Sequence, residues 1–315
     1  MKVTLDLDVL LAEGHIDRGE YDKLSALSKA ATGTLAFNIL VAFGMIAVAG
    51  ATLALLPTAA TAIALGIAVC AAGLGLVMRY DEQWRLLAVI CVVAGALLAG
   101  GGIVKLGEGS VASFLLVATL FAAVSISTRS AVMAVLAVLA LSSCLGARTG
   151  YMHAMYFLGI EAPLLTIIVF AALAALLQWS MNSVPLDRRG IATAAARASV
   201  FLVNFGFWIG SLWGDRGFAA RVGDYASIGG TRMLLRPGAF ALAWAIVLVA
   251  GGVWAFRHDR RWLVTVVAVF GAIDLYTQWF ERLGASPTSV LVAGLFALAF
   301  ALVLKSYHAK DVRAA

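Results

Sequence analysis

From residue 34 onward the chain alternates between apolar runs of roughly 17 to 25 residues, the length an α-helix needs to cross the hydrocarbon of a bilayer, and short polar breaks. Lipid offers no partner to an unsatisfied backbone group, so helices are the elements such runs must form. The pattern predicts ten transmembrane helices over 34–56, 58–78, 86–104, 110–127, 130–147, 162–180, 194–213, 238–256, 262–280 and 286–305. Pro57 and Thr58 separate the first two runs and Arg129 stands almost alone between the fourth and fifth, so these neighbours read as antiparallel hairpins. Residues 148–161 and 214–237 are the longer irregular stretches. The first carries Tyr151, His153, Tyr156 and Phe157 and reads as a segment lying along the membrane interface.

The first 30 residues differ. Leu5, Val9 and Leu10 form a short apolar stripe ended by Gly14, and Asp17 with Glu20 has the spacing of a helix-starting capping box. Asp6, Asp8, Glu13, Asp17, Glu20 and Asp22 exclude a signal peptide here. Residues 1–30 are therefore expected to be a retained cytosolic helical extension, too small to hold a core alone, ahead of a transmembrane domain over 31–315.

Composition agrees with the pattern: 63% of the 315 residues are hydrophobic and 13% charged, too apolar for a soluble chain of this length. The net charge of +6 matters less than its distribution. On a ten-span topology 16 of the 23 lysines and arginines fall on the side of the termini and seven on the other. The positive-inside rule then makes both termini cytoplasmic. An all-α polytopic bundle in a membrane, of bacterial inner-membrane style, is the expected fold and location. Its constant partner is the lipid bilayer, with a membrane-protein partner or a homo-oligomer as further options. No basic patch interleaved with aromatics outside the membrane suggests nucleic acid.

Chemistry-bearing residues are sparse. Cys70, Cys91 and Cys144 lie in apolar runs without CxxC spacing, and the four histidines never pair at i, i+4, so neither a metal nor a cofactor is expected. Nucleophile elbows, zinc-protease motifs and phosphate-binding loops are missing; Gly100-Gly101-Gly102 reads as a helix end without the rest of such a loop. Asp274 is the most informative residue, because a carboxylate well inside a span costs roughly 2.5 to 3.5 kcal/mol and should face a partner or water. Thr277 and Gln278 share its helix face. With Asn204 and Asn38 they form either a hydrogen-bonded clasp between helices or a polar pathway for a proton or cation. Gly206, Gly210 and Gly214, at four-residue spacing, predict close approach of another helix. Arg216, Arg221, Arg232 and Arg236 crowd the 214–237 loop, where they bind headgroups or anions or pair with Asp215 and Asp224.

Two end motifs carry a resemblance. Leu11-Ala12-Glu13-Gly14-His15-Ile16-Asp17 with Tyr21 and Leu24, and Asp274-Leu275-Tyr276-Thr277-Gln278-Trp279-Phe280 ahead of the last apolar run, resemble an uncharacterised family of bacterial multi-pass membrane proteins, the 2157-type domain of unknown function. The resemblance implies a polytopic helical protein and no activity. Three function classes follow: a structural or complex-forming membrane protein, a small-solute or ion-coupled transporter using Asp274, and a lipid-acting membrane enzyme built on the loop arginines. The thin polar inventory favours the first and argues against an enzyme.

Overall fold

The computed structural model describes residues 7–79, 84–152, 155–181, 183–215, 234–284, 286–295, 298–299 and 302, with the side chains of 26–35, 79, 148–158 and 281–283 outside the description. Its elements in chain order are α1 Leu7–Ala12, α2 Arg18–Leu55, α3 Ala59–Arg79, α4 Arg85–Leu106, α5 Val111–Thr128 and α6 Ala131–Cys144. A β-hairpin of β1 Ala147–Met152 and β2 Met155–Ile160 follows, then α7 Pro163–Ser180, α8 Arg189–Trp213, α9 Pro237–Arg257 and α10 Arg261–Leu283. Eight of the described helices are long and apolar enough to cross a membrane. The chain is a polytopic α-helical membrane protein.

Eight is fewer than the ten predicted, for two reasons. The fifth run, expected over 130–147, stops after 14 residues at Cys144. At 1.5 Å per residue α6 is about 21 Å long, short of the roughly 30 Å of hydrocarbon. Of the tenth run, 287–295 is helical and much of the rest lies outside the described residues. The stretch expected to be irregular after α6 is instead an antiparallel hairpin, registered from Ala147 opposite Ile160 to Met152 opposite Met155.

At the N-terminus no break separates an extension from the first span. Asp17 caps α2 by accepting from the Glu20 N–H at 2.7 Å, and Glu20 accepts the Asp17 N–H at 3.1 Å. From that capping box α2 runs 38 residues, about 57 Å, of which Ala36–Leu55 is the apolar, membrane-crossing part. The boundary expected at residue 30 falls inside this helix. Tyr21 donates to Asp8 at 2.9 Å and so ties α1 to α2, yet no residue of α1 is buried.

The chain divides into two compact units, Met1–Cys144 with Leu177–Ala195 and Leu145–Leu176 with Ala196–Ala315. In the first, α3 and α4 pack as an antiparallel pair whose seam is made of small residues. A Cβ added to Gly66 would lie 2.3 Å from the Ala99 nitrogen, and one on Gly95 would lie 2.4 Å from the Cys70 nitrogen. Gly73 meets Val92 and Ala88, while Gly102 meets Ile63 and the Ala59 carbonyl. Ala59, Gly66 and Gly73 are seven residues apart, as are Ala88, Gly95 and Gly102. A seven-residue repeat keeps one stripe facing the neighbour when two helices wind about each other. The triple glycine is thus inside α4, not at its end: Gly102 faces α3, Gly100 faces Phe121 of α5, and Gly101 has nothing within 4 Å. Val92, Val117, Phe121 and Met133 join α4, α5 and α6 in one core.

Two polar contacts tie the links of this unit. Lys105 at the end of α4 donates to the Pro57 carbonyl at 3.3 Å. Arg129, in the left-handed conformation that turns α5 into α6, pairs with Asp187 at 3.0 Å.

Candidate functional site

In the second unit the core is aromatic. Trp244 and Phe240 of α9, Phe270 and Val266 of α10, Phe207 of α8 and Ile167 of α7 are all buried together. Phe201 and Phe205, one turn apart on α8, both set their rings edge-on to Phe270, at centroid distances of 5.6 and 5.8 Å. Such pairs stabilise by geometry as well as area, which matters in lipid because burying apolar surface drives little association there.

Polar groups are threaded through this core. Asn204, one turn before Trp208 on α8, donates its Nδ2 to the Val200 carbonyl at 2.9 Å. Its Oδ1 accepts the Nε1–H of the fully buried Trp244 at 3.0 Å. Trp208 in turn donates Nε1–H to Thr277 Oγ of α10 at 3.2 Å. Asn204 and Trp208 therefore connect one face of α8 to two helices, α9 through Trp244 and α10 through Thr277. Asp274, on the Thr277 face of α10 one turn earlier, is 8% exposed. Gln278 follows a turn later, and its Nε2 is enclosed without a hydrogen-bond partner among the described residues. Asn38 is also buried, at 2% exposure, but it stands on α2 in the other unit.

The Asn204–Trp244 bond makes a prediction. Replacing Asn204 with Leu strands a buried N–H, a loss of about 1.5 kcal/mol, above the roughly 0.6 kcal/mol average for polar contacts in membranes because Trp244 has no access to water. Thermal unfolding in detergent of Asn204→Leu, Trp244→Phe and the double variant measures it. The double variant should cost clearly less than the sum of the singles; strict additivity would mean that the bond contributes nothing.

Gly206 and Gly210 of α8 and Gly214 just after it serve three different neighbours. A Cβ on Gly206 would lie 2.8 Å from Ile167 of α7, and one on Gly210 would lie 2.6 Å from the ring of Phe240 on α9. Gly214, at φ +70, ends the helix in a left-handed turn, and a Cβ there would lie 2.8 Å from the Leu235 carbonyl.

Of the loop arginines, Arg216, Arg221 and Arg232 lie outside the described residues, and Arg236 is an exposed residue at the start of α9. The residue whose role the sequence did not show is their neighbour Asp215, one of two acids weighed as pairing with those arginines. It is 2% exposed, and its Oδ2 accepts the Leu164 N–H at 2.8 Å. Its backbone also bonds both ways with the far end of the loop: the Asp215 N–H to the Leu235 carbonyl at 3.0 Å, and the Leu234 N–H to the Asp215 carbonyl at 2.8 Å. Asp215 is thus a capping carboxylate for α7 supplied from 51 residues away.

Chemically, the arrangement can hold four helices in one register; among the described residues it brings no nucleophile and base together. Among the described residues no three His, Cys, Asp or Glu side chains are set to hold a metal ion. Compared with models of protein families, with curated proteins and with solved structures, the chain matches none.

Proposed function

We propose that the protein is a non-enzymatic, structural or complex-forming membrane protein. The observation that carries this reading is the use made of its intramembrane polar groups. Asn204, Trp208, Trp244 and Thr277 are spent on bonds between helices of one aromatic core. A substrate pathway needs such groups to converge on a space; here they converge on each other.

The reading includes ten spans with both termini on the cytoplasmic side of a bacterial inner membrane. Contacts between links support the count. The Arg129–Asp187 pair supports placing the link after α5 and the stretch before α8 on one side. Between them the chain passes through α6 and α7, so both cross or neither does. With 18 apolar residues, α7 is long enough to cross, which supports a crossing by the shorter α6 as well. The end motifs support placing the chain with the uncharacterised multi-pass family described above, which brings no activity.

One observation favours transport as a second reading: the enclosed Gln278 Nε2 beside the buried Asp274 on α10. A single experiment separates the two. The wild-type chain and Asp274→Asn are extracted into nanodiscs and weighed intact with whatever they retain, then reconstituted and tested for proton flux under a pH gradient. The structural reading expects a defined stoichiometric complex, kept in Asp274→Asn, and no flux. A bare chain that carries protons in the wild type and stops in Asp274→Asn would overturn it.

A further inference from the structure

We propose that the α9–α10 turn and the neighbouring face of α8 form a binding site for the phosphate of an anionic lipid headgroup. Three elements contribute. Arg257 ends α9, Arg260 and Arg261 open α10, and Arg197 comes from the third turn of α8. The guanidinium of Arg197 lies over the ring of Trp262, 5.1 Å from its centroid. That contact brings the α8 cation to the first turn of α10, beside Arg261. All four arginines are exposed at the surface of this unit.

Charge on this surface is one-sided. The stretch 254–262 holds three arginines against one acid, Asp259, which is 3.9 Å from Arg261. From Ala196 onward α8 adds Arg197 and no acid. Asp259 itself sits at φ +51, in the tight turn that brings the end of α9 against the start of α10.

Depth selects a lipid over a soluble anion. Arg197 is eight residues into α8, about 12 Å along a helix that is apolar enough to cross the membrane. A guanidinium there rests at the level of headgroups, and an indole with one apolar face and one polar edge is the side chain that belongs at the same level. Stacking on Trp262 holds the guanidinium plane while leaving its N–H groups to donate to phosphate oxygens. A basic pocket between helix ends on the cytoplasmic side is where anionic headgroups are recognised, each arginine contributing roughly a fivefold gain in affinity.

The test uses the full chain in a mild uncharged detergent. Short-chain phosphatidylglycerol, short-chain phosphatidylcholine and inorganic phosphate are titrated separately at physiological salt, and the midpoint of thermal stabilisation is read for each. The expected result is stabilisation by phosphatidylglycerol at concentrations where the other two have no effect. R197K, which keeps charge but loses the planar stack, should weaken it modestly. R197Q should weaken it roughly fivefold and R197Q/R260Q roughly twenty-five-fold. Equal response to phosphatidylglycerol and phosphatidylcholine in the wild type overturns the proposal without any variant. Stabilisation by inorganic phosphate alone overturns the assignment to lipid, and an unchanged midpoint in R197Q/R260Q overturns the assignment to these residues.

Discussion

Gly95→Leu should yield no folded protein, while Gly101→Ala, six residues along the same helix, should be as stable as the wild type or more so. The contrast rests on what each glycine faces. At Gly95 even a Cβ would stand 2.4 Å from a backbone nitrogen of α3 and 2.7 Å from the Gly66 carbonyl oxygen. Backbone atoms cannot rotate aside as a side chain can. The helices would have to separate along the seam, losing the close contacts at Gly66, Gly73 and Gly102 together. Overpacking a core costs about 1–3 kcal/mol where side chains can adjust, and a rigid backbone seam lies at or beyond the upper end of that range. In lipid this matters more than in water, because packing is what holds helices together there.

Gly101 meets nothing within 4 Å, so alanine there gains the helix preference of about 1 kcal/mol that glycine lacks. Gly66→Ala is the sharper variant of the test. It has the same favourable preference but a Cβ at 2.3 Å from Ala99, and steric overlap should win by several-fold in energy. Detergent-extracted protein passed over a sizing column, followed by thermal unfolding, reads all three. If Gly66→Ala is as stable as Gly101→Ala, the α3–α4 seam is not as close as described.

That seam also marks where sequence reading ends. The eight membrane-length helices are legible because each span must satisfy its own backbone, which makes hydrophobicity over about 20 residues nearly sufficient. Which faces touch is another matter. The Gly206, Gly210, Gly214 series stands out because its period fits within one helix. The α3–α4 seam glycines do not, because each helix contributes only two to the seam, seven residues apart, and the pattern exists only when the helices are laid antiparallel. The hairpin after α6 was hidden for a different reason. Thr149, Tyr151, Tyr156 and Phe157 are strand formers, but His153 and Ala154 between the strands carry none of the Asn-Gly or Asp-Gly chemistry that advertises a tight turn.

The polar residues divide in the same way. Asp274, Asn204 and Asn38 are conspicuous because polar groups inside apolar runs are rare, and all three are buried. Their partners were not readable: Trp244 looks like any membrane tryptophan until its indole N–H is placed 3.0 Å from Asn204. The capping role of Asp215 was not readable either: its backbone N–H partner lies 51 residues away, and four arginines stand much closer in sequence.

Asp215→Ala is accordingly expected to cost about 2 kcal/mol, and Asp215→Asn about half of that. Pro163 opens α7 without an N–H, and Thr166 already bonds to the Ala162 carbonyl, so the Leu164 N–H is among the few donors of that first turn needing a partner. Ala162 and Pro163 are both buried, which denies that turn easy access to water. A charged acceptor on a buried donor contributes about 1.5–3 kcal/mol, and the positive end of the helix dipole favours a carboxylate further. Alanine removes the acceptor and leaves the N–H stranded; asparagine keeps an oxygen but loses the charge. The discriminating readout is local. Hydrogen exchange at the Leu164 amide should speed up in Asp215→Ala far more than at amides in the middle of α7, alongside the drop in unfolding temperature. Because the Asp215 backbone also pins Leu234 and Leu235, both variants should leave those backbone bonds, and exchange at Leu235, much less affected. Equal protection of Leu164 in wild type and Asp215→Ala would mean that another group satisfies the helix, and the buried carboxylate would then need a different explanation.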